Sequence, residues 1–117
     1  MNKIERELVF NKYNGKCAYC GCELSKGWHV DHIKPIVRNS IGCEKPENHN
    51  LENMNPSCAS CNIQKNSYTL EQFRANIQCF VDSLNKNSTQ YKFAKRYGLV
   101  KETNSKVKFY FEIINEN

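Results

Sequence analysis

The sequence predicts a single α+β domain, and three observations predict it. Apolar residues recur at helical spacing near the N-terminus and again from residue 70, and an alternation of period two closes the chain. Between them lies a stretch rich in Gly, Pro, Asn and Cys with little helical period. Asn2 with Glu5 three residues on makes a helix cap, and Ile4, Leu8 and Val9 follow at helical spacing. A helix is therefore expected to about Tyr13, where Asn14-Gly15 ends it. Trp28 to Ile33 is the best strand of the middle stretch.

Thr69 with Gln72 is a second capping box, and Leu70, Phe73, Ile77, Phe80 or Val81, and Leu84 form the apolar stripe of one long helix. A loop over 85–89 follows, then a shorter helix capped by Ser88 or Thr89. It runs through Tyr91, Ala94 and Tyr97 and stops at Gly98. Val107, Phe109, Phe111 and Ile113 alternate with Lys106, Lys108, Tyr110 and Glu112 as a half-buried closing strand, in which the aromatic residues are expected in the core. The organisation read from this is one domain over 1–117, with a core at 14–68 and an extension of helices and a strand at 69–117.

A chain of 117 residues leaves room for one modest core and excludes a multidomain enzyme. Its 39% hydrophobic, 25% charged and 11% aromatic residues are a globular balance, which argues against wholesale disorder. The apolar runs are a few residues long, far below the roughly 20 that cross a bilayer. The first ten residues mix Glu with Lys and Arg and do not resemble a secretory signal, so a cytoplasmic protein with no membrane partner is expected. The net charge of +5 favours an acidic partner, and the last 32 residues carry seven basic against three acidic side chains.

Seven cysteines in a reducing compartment point to metal before disulfides. Cys17-Ala-Tyr-Cys20 and Cys58-Ala-Ser-Cys61 are two CxxC pairs separated by 37 residues. Two such turns supply the four thiolates of a closed tetrahedral zinc shell, so this zinc is expected to be structural. Such a site contributes on the order of 10 kcal/mol of folding free energy. That would order a segment otherwise rich in turns. Cys79 reads as a small core residue, while Cys22 and Cys43 receive no role.

Between the pairs stands His29-Val30-Asp31-His32-Ile33-Lys34-Pro35, followed later by Asn53 and, directly after the last cysteine, Asn62-Ile63-Gln64-Lys65. An imidazole can take a proton from water near neutral pH, and a carboxylate with an amide oxygen can hold a hard cation such as Mg²⁺. Asp31 and Asn62 are the candidates for that oxygen pair, with His32 beside them. His29, Lys34, Arg38 and Lys65 flank the site as candidates for contact with DNA phosphates, and Trp28 reads as a core anchor.

These residues resemble the HNH endonucleases of the ββα-metal (His-Me finger) fold. The likeness covers Cys17 to Lys65: CxxC, then DHIxP, then an Asn five residues before the next CxxC, then CNxxK. The resemblance implies His32 as general base, Asp31 and Asn62 as ligands of one catalytic divalent ion (Mg²⁺, or Mn²⁺ or Ni²⁺ in its place), and Asn53 as the amide that braces the histidine loop. It implies hydrolysis of DNA phosphodiesters, by nicking or double-strand cleavage, to 5′-phosphate and 3′-hydroxyl ends. The stretch from Val37 to Leu51 departs from the family in being longer and in lacking its Gly-Gly. SYTLEQFR after CNxxK and the closing VKFYFEI look like phage-type members, which implies phage or mobile-element proteins as further partners. The alternative is a catalytically inactive zinc-stabilised DNA-binding module. Intact Asp31, His32, Asn53 and Asn62 weigh against it.

Overall fold

Cap chemistry starts the first helix where the sequence predicts it. In the computed structural model, which describes residues 1–38, 43–44 and 46–116, α1 spans Lys3–Asn11, and the Asn2 side chain accepts the Glu5 N–H at 2.8 Å. Asn14 and Gly15 take positive φ and end it. The chain divides into two compact units, Met1–Phe73 together with the tail from Lys108, and Arg74–Val107.

The first unit holds a small antiparallel sheet and the helix that follows it. β1 (His29–His32) opens this part, and β2 (Val37–Arg38) pairs with β3 (Cys43–Glu44) as a separate short ribbon. After two short helical turns, β4 (Met54–Ser57) returns along β1, setting Asp31 opposite Asn55 and His32 opposite Met54. Every residue of β4 is buried. Helix α2 (Ala59–Lys65) then begins at Cys58, whose sulphur accepts the Cys61 N–H at 3.3 Å. β1, β4 and α2 are the ββα arrangement, and the molecule is α+β.

Tyr19, inside the first CxxC turn, is the centre of the core. Its ring meets Phe73 and Phe109 edge-on, with centroids 5.7 and 5.4 Å away, and those two stack at 5.1 Å. Aromatic rings in these geometries add to the burial of their area. Trp28 is half-buried, against Phe10 on one side and with the Arg6 guanidinium 4.0 Å over its ring.

The closing strand is not formed. Phe109 is buried as the alternation requires, but its neighbours bond to the first cysteine turn instead of to a strand. Tyr110 N–H donates to the Tyr19 carbonyl and Phe111 N–H to the Ala18 carbonyl, both at 2.9 Å. Glu112 then accepts the Phe109 N–H at 2.8 Å and starts the short helix α6 (Tyr110–Ile113). Gly21 makes that docking possible: it sits at φ +78°, and a Cβ there would lie 2.8 Å from Tyr110 Cδ1.

The expected long helix is two helices, and the boundary between the units falls inside the first of them. Thr69 and Gln72 exchange both capping bonds, at 2.9 and 3.2 Å, ahead of α3 (Leu70–Gln78). At Cys79 the backbone N–H divides between the Ala75 and Asn76 carbonyls, a tightened turn that restarts the chain as α4 (Phe80–Asn87). The change of phase breaks the stripe. Phe80, Val81 and Leu84 are each more than 40% exposed, and Cys79 is exposed as well, not a core residue. Ser88 caps α5 (Thr89–Arg96) by accepting the Tyr91 N–H, and Gly98 at φ +76° ends it.

Candidate active site and metal centre

The four CxxC cysteines converge. The Sγ atoms of Cys17, Cys20, Cys58 and Cys61 all lie within 4.8 Å of one another, and Cys20 and Cys58 are 3.8 Å apart. Bonds of about 2.3 Å to a tetrahedral zinc would separate sulphurs by about 3.8 Å, so the donor set fits that ion. None of the four is in a disulfide. A hydrogen bond from the Cys61 thiol holds Cys17 down at about 4 and pushes Cys61 up. Cys22, exposed and outside the four, has its thiol raised to about 12 by partial burial and by the neighbouring cysteines. Its backbone carbonyl closes the turn by accepting the Cys17 N–H at 2.8 Å.

Asp31, His32 and Asn62 come together at a cavity of about 160 Å³, which Val30, Pro35, Ile36, Asn66 and Ser67 also line. β1 delivers the first two. Asn62 comes from the first turn of α2, one residue past a cluster cysteine, and its N–H bonds the Cys58 carbonyl at 3.0 Å. Asn53 sits beneath the loop after His32. Its amide oxygen accepts the Lys34 N–H at 2.8 Å, and its amide nitrogen donates to the carbonyls of Lys34 and Asn48. With the Ile33 N–H on the Asn53 carbonyl, that loop is held at both ends of the residue.

Asp31 is 5% exposed, with partners on both oxygens. The Tyr19 hydroxyl, whose proton is held on by burial and by the facing carboxylate, donates to Oδ2. The Lys65 ammonium lies 3.1 Å from Oδ2 and 3.4 Å from Oδ1, and donates to the His32 carbonyl at 2.8 Å. Burial pushes the Asp31 carboxyl up, against the pull of Lys65 and Tyr19. A carboxylate has about four lone-pair sites, and these contacts take three of them.

Lys65 therefore does not meet DNA. It is fully buried, one turn after Asn62 on α2, and the expected phosphate contact is corrected to an internal ion pair. Lys34 and His29 are exposed beside the site, whereas the side chain of Arg38, the remaining candidate, lies outside the described residues, as does that of Cys43. The sequence reading missed two residues. His49 Nδ1 lies 2.9 Å from His32 Nε2, with the rings 5.0 Å apart, and Tyr19 reaches the carboxylate from inside the zinc turn. His49 stands four residues before Asn53, and the only signal it offered was that the chain has just three histidines.

A family model, HNH endonuclease, matches residues 17–68. The chain carries an HNH domain. The matched residues run from the first zinc-turn cysteine through β1, β4 and α2 to Tyr68, so the HNH domain contains the cysteine cluster and every residue at the cavity. Proteins with HNH domains are nuclease-type and typically bind DNA, and the four-cysteine cluster of this one is consistent with a structural metal such as zinc. No curated protein and no solved structure matches the chain. Among the described residues no helix is long and apolar enough to cross a membrane.

Proposed function

We propose that the HNH domain is a metal-dependent endonuclease that hydrolyses DNA phosphodiester bonds, with His32 as general base. The observation that carries this reading is the meeting of Asp31, His32 and Asn62 at one small cavity, with Asn62 next in sequence to a cysteine of the cluster. His32 takes a proton from a water molecule, whose oxygen attacks phosphorus. The bond to the 3′ oxygen breaks, leaving a 5′-phosphate and, after protonation from solvent, a 3′-hydroxyl. Asp31 and Asn62 hold a divalent ion, Mg²⁺ or a substitute, which when bound offsets charge on the phosphate and the departing oxygen. Asn53 keeps the loop after His32 in register, and His49 orients the imidazole through the bond between the rings. DNA is the macromolecular partner, and the cytoplasm the compartment.

Supercoiled plasmid incubated with zinc-loaded wild type and with His32→Ala, each with Mg²⁺, with Mn²⁺ and with no added divalent ion, tests the reading. Cleavage by wild type alone, and only with added metal, is expected; the ratio of nicked to linear product reports how it cuts. Equal cleavage by His32→Ala would remove the histidine from the chemistry. One observation favours the second reading, a zinc-stabilised DNA-binding module without catalysis: the Lys65 ammonium already neutralises the carboxylate meant for the metal. No cleavage in any arm, together with a salt-sensitive gel shift, would favour it.

A further inference from the structure

The whole of the chain's net charge lies in the second unit. Residues 74–107 carry seven Lys and Arg against two Asp and Glu, a balance of +5, while the rest of the chain carries ten of each. One of those seven, Lys95, pairs with Glu102 at 3.1 Å.

Helix α5 is sided in a way that its sequence hides. One side carries Tyr91, Ala94 and Lys95: the Tyr91 hydroxyl donates to Glu102 at 2.8 Å, and Lys95, itself exposed, bonds Glu102 and Asn85. The outer face carries the exposed Phe93, Arg96 and Tyr97 with the half-buried Lys92. Phe93 is 48% exposed and Tyr97 76%. The two rings lie 6.3 Å apart and 33° from parallel, and the Arg96 guanidinium stands 4.9 Å from the Phe93 ring. The base of this face is fixed. Leu99 N–H bonds the Ala94 carbonyl and Gly98 N–H the Lys95 carbonyl, the paired bonds of a glycine-ended helix.

Two neighbouring exposed rings flanked by cations that make no ion pair among the described residues, on a unit of net +5, match one ligand chemistry: flat bases with a phosphate backbone. A duplex offers phosphates to the cations but keeps its base faces stacked inside. An unpaired strand offers both. We propose that the outer face of α5 binds single-stranded DNA, with bases stacked on Phe93 and Tyr97 and phosphates on Lys92 and Arg96. The choice of DNA rests on the endonuclease reading above; the binding chemistry does not.

The test is fluorescence anisotropy of zinc-loaded, full-length protein without added divalent ion, using a labelled oligonucleotide single strand and the duplex made from it. Wild type binds the single strand more tightly than the duplex. Tyr97→Ala weakens strand binding roughly tenfold, within what one base on one ring contributes, and Tyr97→Phe retains it. Lys92→Ala lowers the slope of log affinity against log salt by about 0.7, the loss of one single-strand phosphate contact. Both substituted positions are on the outer face, and unchanged zinc content and melting temperature check the fold.

Duplex bound as tightly as the strand, or Tyr97→Ala binding as wild type does, would overturn the proposal. So would a wild-type dimer that Tyr97→Ala dissociates, which would give the face to a second copy. Plasmid cleavage on the same preparations separates the two readings: cleavage without strand binding removes this one alone, and strand binding without cleavage removes the nuclease alone.

Discussion

The Lys65 ammonium lies 3.1 Å from Asp31 Oδ2 and 2.8 Å from the His32 carbonyl oxygen, and the residue has no solvent exposure. One buried cation therefore ties α2 to the two consecutive residues of β1 that face the cavity. An ion pair in such a place contributes little net stability against an apolar replacement, but leaving one partner alone is costly.

Lys65→Met is accordingly expected to destabilise the protein by about 3–5 kcal/mol in denaturant unfolding, since it leaves the Asp31 carboxyl buried beside an apolar chain. Combining it with Asp31→Asn should recover most of that loss, because the charge is gone from both sides. A single substitution costing less than about 1 kcal/mol would show that the pair is not what holds β1 to α2.

The cysteine cluster predicts one zinc per chain by elemental analysis. Cys58→Ser should lose the metal and, with on the order of 10 kcal/mol of folding free energy withdrawn, the ordered fold by circular dichroism. Cys58 also caps α2 and sits one turn before Asn62, so the metal and the cavity should be lost together. A folded wild type without metal would contradict this.

Asn62 reaches the cavity from α2 but makes no side-chain bond among those described that holds the fold. Asn62→Ala should thus keep its zinc and its melting temperature while plasmid cleavage falls by roughly two orders of magnitude or more. Undiminished cleavage would take Asn62 out of the proposed ligand pair.

Glu102 is a separate pH probe. Hydrogen bonds from Asn85, Tyr91 and Lys95 hold its carboxyl down at about 2, below the roughly 4.3 of an unfolded chain. A depressed folded value means a stabilising contribution that is present above the unfolded value and lost as pH falls from about 4.3 towards 2. Carboxyl carbon shifts should titrate with a midpoint near 2 in wild type, and a midpoint near 4 would show that the three bonds do not persist in solution.

Much of the local architecture was legible because its causes span a few residues. Asn2, Thr69 and Ser88 each cap the helix start predicted for them, or stand one residue from it, and Gly98 ends the last predicted helix, since capping and positive φ are settled within one turn. The two CxxC turns and the Asp31-His32 strand are likewise patterns of spacing and residue type. The closing strand misled for the same reason: alternation reports which residues are buried, and Phe109 is buried, but it does not say where the backbone N–H groups find carbonyls. Those lie on Ala18 and Tyr19, some 90 residues earlier in sequence.

The sequence by itself determined the metal-binding pattern, the strand that carries His32, the starts of three helices and the sign of the charge. Only the tertiary structure decided that Lys65 is an internal cation, that His49 meets His32, that Tyr19 reaches Asp31, and that Phe93 and Tyr97 face solvent. Caps and turns act along the chain, whereas burial and pairing depend on which distant surface arrives opposite a side chain. A lysine reads as surface until α2 lies against β1, and an aromatic reads as core until nothing packs over it.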